Sequence, residues 1–218
     1  MGSEAGPQGG ALEPVNDSII GPHARGGGVR PWELLALLGI LILHALALRL
    51  YYVPTSGGTD ANAYHVASRM VQEHGRFHQV PADTFTFMGK MWVVNERGEF
   101  YPKYPPVYPT VLGVVMKAFG TQAGFLVNPI CALLAVIGMF VAARVFLPGW
   151  AALLAAWTVS ISPVLNSLVV DQVSHATSFA IQTWAFALFF LGEYAGVQIQ
   201  TRQDCISRAL RHAAVVGS

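Results

Sequence analysis

Charge is the scarcest property of this chain. Only 11% of its 218 residues are Asp, Glu, Lys or Arg, while 53% are hydrophobic and the mean hydropathy is +0.46. Soluble domains carry roughly 25% charged residues, so an ordinary cytosolic fold is excluded. The formal net charge of +1 gives no basis for nucleic-acid binding. Cysteine is almost absent as well. Cys131 falls inside an apolar run and Cys205 in a tail, which points to neither a disulfide framework nor a cysteine metal site.

Long apolar runs are what the chain has in quantity. Several reach the ~20 residues that cross a hydrocarbon core of ~30 Å. The expected fold class is an all-α polytopic membrane protein with about four spans, near 31–53, 123–147, 150–170 and 177–196. Residues 1–30 are rich in Gly, Pro and polar side chains without periodicity, and read as a disordered tail. The first span carries His44, expected to pack against a neighbouring helix, and ends in Tyr51-Tyr52, which suits an interfacial aromatic belt. Residues 197–218 read as a second tail, containing Arg202, Arg208 and Arg211.

The segment over 54–122 is the long first loop. Ala63, Ala67, Met70 and Val71 share one helical face after Asp60, so a surface helix is expected there. Thr59 or Asp60 is placed to cap it and Gly75 to end it. TFTFMGKMWVVN has strand composition, with NERGEF as its turn. The prolines of YPKYPPVYP forbid helix and fix an extended corner. Val107 to Phe119 is apolar but too short to span, and reads as an interfacial or re-entrant helix. Further on, Pro163 is expected to kink the third span near its end.

With the N-terminus in the cytoplasm, Arg25, Arg30, Arg144, Arg202, Arg208 and Arg211 all fall inside, close to span ends. Asp60 and Asp171 then face the outer compartment together. A fifth span at Val107 to Phe119 would separate them.

The order of these features has a familiar form. A first span is followed by GTDANAYHVASRMVQEHG, then by KYPPVYP before a short apolar helix, then by a span ending in LVVDQVSHATSF. It resembles the N-terminal part of the membrane-embedded glycosyltransferases of the GT-C fold, in particular their protein-mannosyltransferase and aminoarabinose-transferase-like branch. The resemblance implies transfer of a sugar from a polyprenyl-phosphate donor to an acceptor at the outer face. It further implies a multi-pass protein of the bacterial inner membrane, with membrane lipids and the lipid-linked sugar as partners. It carries the catalytic base to Asp60 and an acceptor- or metal-supporting role to Asp171. Members of that family have more spans, so the chain is expected to be an N-terminal part.

Each residue also has a plainer reading. Asp60 serves either as the base or as a helix cap. Asp171 and His175 are four apart, so one helix would put both on one face, where a divalent metal is the candidate cofactor. Otherwise Asp171 caps the last span and His175 sits among headgroups. Lys103, Tyr104 and Tyr64 are the candidates for substrate binding, with lipid headgroups and interfacial anchoring as their alternatives. A non-catalytic scaffold or a transporter subunit remains the competing class. The latter calls for ionisable residues inside the spans, where only His44 and Glu193 qualify.

Overall fold

The structure is a computed structural model, and it describes residues 28–80 and 91–216. The expected disorder before residue 28 and the strand composition of residues 84–90 lie outside the described residues.

Helix α1 spans Pro31–Tyr51 and starts on a proline, whose missing N–H would be unbonded at a helix start anyway. A 3₁₀ turn over Thr121–Leu126 leads into α4, Val127–Phe146. These two stretches, 21 and 26 residues long, are apolar enough to cross a membrane. Between them in the chain lie α2 (Thr59–His74), a hairpin of β1 (Trp92–Val94) and β2 (Phe100–Pro102), and α3 (Val107–Phe119). The strands pair antiparallel, with Val93 opposite Tyr101. Asn95 to Gly98 closes the hairpin, as NERG led one to expect, with Gly98 at φ 75° where a side chain would be strained. With 13 residues, α3 reaches about 20 Å, short of a hydrocarbon core of ~30 Å.

The third apolar run bends at Pro163, near its end, as expected. It breaks into α5 (Gly149–Ser160) and α6 (Pro163–Val170), bent by 49°. Pro163 has no N–H to continue the ladder and holds Ser162 extended, at ψ 117°. The last run and the residues after it form one continuous helix. Helix α7 continues from His175 to Val216, and neither proline nor glycine occurs after Gly196 to stop it before Val216.

Helix α4 is central and packs on α1, α5, α6 and α7. Leu37, Val136, Phe140, Ala152, Leu153 and Ala156 form one buried cluster, and Leu48, Ala132, Leu165, Val169 and Ala176 a second. Alanines at these seams let backbones approach closely, which is how helices associate in lipid. Gly138 extends this logic to α7, since a Cβ there would stand 3.3 Å from Thr183 and Trp184. Beside the bundle, α2 packs on α3 through Gly113, where a Cβ would lie 2.6 Å from Val71 and 2.8 Å from the Ser68 carbonyl. Tyr64, Tyr108, Leu112, Met116 and Val127 join this layer to α4.

The two ends of the bundle are held differently. At the Pro31 end, Glu33 is 2% exposed and pairs with Arg144 Nε at 3.0 Å. Gly149 lies directly against the Glu33 carboxylate, so α1, α4 and α5 meet there. Midway along, His44 is buried as expected, beside the Ser160 carbonyl, which also accepts from the Asn166 amide at 3.1 Å. The other end carries the candidate site.

Candidate active site at the loop end of the bundle

Helix α2 forms where its apolar spacing places it and ends at Gly75, whose left-handed φ of 66° lets its N–H reach the Val71 carbonyl at 3.0 Å. Its start corrects the sequence reading. The N-cap is Gly58, in extended conformation, and no side chain caps the helix. Because the helix begins one residue early, Asp60 falls within the first turn and out of capping geometry. Its carboxylate is exposed and beside the Tyr104 hydroxyl.

One turn on, Tyr64 is buried and organises the aromatic residues. Its ring stacks on Tyr104 with centroids 4.6 Å apart and meets Tyr108 edge-on at 5.1 Å. Its hydroxyl is 3.2 Å from Ser174 Oγ. Tyr104 also contacts Met91, its hydroxyl 3.3 Å from the sulfur. Desolvation, then the hydrogen bonding and charge of Asp60, push the Tyr104 hydroxyl up to about 12. It therefore stays a donor toward the carboxylate at any physiological pH.

His65 continues the contact to the 171–174 connection. Its Nδ1 is 2.9 Å from the Gln172 amide oxygen, so in the neutral ring that nitrogen carries the proton and donates. Its ring lies 5.3 Å from Phe125. Burial holds its pKa below the ordinary value, the Gln172 bond opposes this, and Arg69 adds to it.

Asn128 fixes the connection itself. Its amide nitrogen donates to the carbonyls of Asp171 at 2.7 Å and Val173 at 2.9 Å. Its oxygen accepts from Tyr108 Oη at 3.0 Å and Thr177 Oγ1 at 3.1 Å. One buried amide thus ties α3, α4 and both flanks of the 171–174 turn.

Asp171 ends α6 in extended conformation. Its carboxylate is exposed, and a Cβ on Gly57 would be 3.0 Å from Oδ1. The expected helical pairing of Asp171 with His175 is not formed. Helix α7 begins only at His175, and the turn between them breaks the phase that four-residue spacing presumes. His175 instead lines a groove of about 600 Å³ with Ser178, Gln182, Ser162 and Thr158. Nor does Asp171 cap α7, which starts after Ser174.

The structure therefore gathers Asp60, Tyr64 and Tyr104, brings Asp171 against the loop leading into them, and sends His175 elsewhere. Lys103 follows β2 with its side chain exposed, anchored by its own N–H on the Met91 carbonyl at 2.9 Å. Among the described residues no three His, Cys, Asp or Glu side chains stand together as a metal-binding group. Sequence reasoning missed Asn128, His65, Gln172 and Ser174. Asn128 alone had a legible signal, a polar side chain opening an apolar run. No protein-family model matches the chain, and no curated protein or solved structure is significantly similar to it.

Proposed function

We propose that the chain is a membrane glycosyltransferase unit that moves a sugar from a polyprenyl-phosphate donor to a hydroxyl acceptor at one membrane face. The observation that carries the reading is the state of the two aspartates. Both are exposed at one end of the bundle, neither carboxylate caps a helix N-terminus, and neither is in an ion pair among the described residues. Carboxylates held at a membrane face without structural employment are candidates for chemistry.

In this reading Asp60 takes the proton of the acceptor hydroxyl. The acceptor oxygen bonds to the anomeric carbon as the bond from that carbon to the phosphate oxygen breaks. Polyprenyl phosphate leaves with the electron pair. Tyr104 donates to Asp60 and orients it, while Asp171 positions the acceptor. Lys103, exposed beside Tyr104, supplies positive charge for the departing phosphate. Four spans with the N-terminus inside, in a bacterial inner membrane, complete the reading.

The test is transfer from a synthetic polyprenyl-phosphate sugar by the chain reconstituted in vesicles. Asp60→Asn is expected to lower kcat by about 100-fold or more with insertion unchanged. Transfer that persists in Asp60→Asn overturns the assignment, and so does absence of transfer by the wild-type chain.

A further inference from the structure

A second groove lies between α1 and α4. It has a volume of about 530 Å³ and is lined by Ala45, Leu48, Leu126, Pro129 and Leu133, with Arg49 and Tyr52 as its polar side chains. Arg49 is exposed on the last turn of α1, and among the described residues no carboxylate pairs with it. Its charge acts on the Tyr52 hydroxyl, so the two groups are neighbours. The other arginine lodged in these helices, Arg144, is matched by Glu33.

Both helices are long and apolar enough to cross a membrane, so the groove faces hydrocarbon along its length and headgroups at the Arg49 end. An apolar trough with one unmatched guanidinium beside a phenol calls for a long apolar chain ending in an anion. A guanidinium presents a planar donor fork that fits two phosphate oxygens, and the phenol adds a further donor. We propose that this groove is a binding site for one anionic bilayer phospholipid, its acyl chain along α1 and α4 and its phosphate on Arg49 and Tyr52.

The site is separate from the reaction proposed above and does not depend on it. Its position nevertheless has a structural consequence. Pro54, which also lines the groove, lies three residues before Gly57, the residue in contact with Asp171. A seated lipid braces the chain between α1 and α2.

The alternative is an arginine that snorkels to whatever headgroups pass. Native mass spectrometry of the protein released from discs of mixed phosphatidylglycerol and phosphatidylcholine separates the two. The expected result is one retained phosphatidylglycerol per chain, with phosphatidylcholine lost. Arg49→Gln should weaken retention about tenfold or more, the loss of a charge-assisted bidentate contact. Leu133→Trp, which fills the trough from α4 and leaves Arg49 in place, should weaken it as well. Equal retention of both lipids, retention unaffected by Arg49→Gln, or displacement by millimolar inorganic phosphate would each overturn the proposal. Preferential retention of polyprenyl phosphate over phosphatidylglycerol would overturn it too.

Discussion

The two ends of this helical bundle solve the same problem with opposite chemistry. At the Pro31 end, a charge pair is buried: Glu33 and Arg144 close the seam of α1, α4 and α5, and Gly149 leaves room for the carboxylate. At the other end the buried groups are largely neutral. Asn128, Tyr64, Tyr108, Ser174 and the His65–Gln172 pair fix the backbone, while Asp60 and Asp171 remain exposed. Charge spent on structure is unavailable for chemistry. A neutral scaffold that carries unspent carboxylates is what an acid–base site at a membrane face requires.

The difference can be broken first at the charged end. Glu33→Ala takes the carboxylate from Arg144, which keeps the Leu147 carbonyl at 3.2 Å. A loss of about 3 kcal/mol is expected, in the range for breaking a buried pair. Thermal unfolding in detergent checks it, and a change under 1 kcal/mol would mean that the pair is not what holds this seam.

At the neutral end, Asn128→Ala strips four hydrogen bonds from one buried side chain. About 2 kcal/mol is expected from the carbonyls and hydroxyls left unpaired. Hydrogen exchange should rise in the 171–174 turn and stay unchanged around Glu33. Gly113→Ala is a third probe. The added methyl overlaps Val71 and the Ser68 carbonyl, so α2 and α3 must separate at a cost of about 1–3 kcal/mol. Hydrogen exchange in α2 and α3 should quicken, and exchange unchanged from the wild type would contradict the separation.

Much of this arrangement is legible in the sequence, and the illegible part has a common cause. Apolar length finds α1 and α4, the spacing of Ala63, Ala67, Met70 and Val71 finds α2, and NERG finds the hairpin turn. Helix phase misleads at Asp171 and His175 because α7 starts only at His175. The N-cap is misplaced by one residue because an extended glycine outcompetes Thr59 and Asp60 for that position. Asn128, His65 and Gln172 meet partners more than 40 residues away in most of their contacts, and no local pattern encodes such partners.

A smaller effect sharpens the comparison through pH. His65 has its pKa lowered by burial, so the folded state favours the neutral ring. Its contribution is present above the unfolded value of about 6.5 and is lost as pH falls through that value toward the folded one. Protection of α2 amides, taken relative to their intrinsic exchange rates at each pH, should therefore fall below about pH 6.5, and His65→Gln should remove the dependence. The smallest expected change is Gly57→Ala. Its methyl would touch Asp171 Oδ1 at 3.0 Å, a flexible exposed carboxylate that can turn away, so stability should hold while transfer falls.

The claim on which the whole comparison rests is that Asp60 and Asp171 share one membrane face. The direct measurement replaces each by cysteine, singly, in a chain lacking Cys131 and Cys205, and labels sealed, oriented vesicles with an impermeant thiol reagent. Labelling of both positions from the same side is the result expected. Labelling from opposite sides would contradict it, making α3 a span and parting the two carboxylates for good.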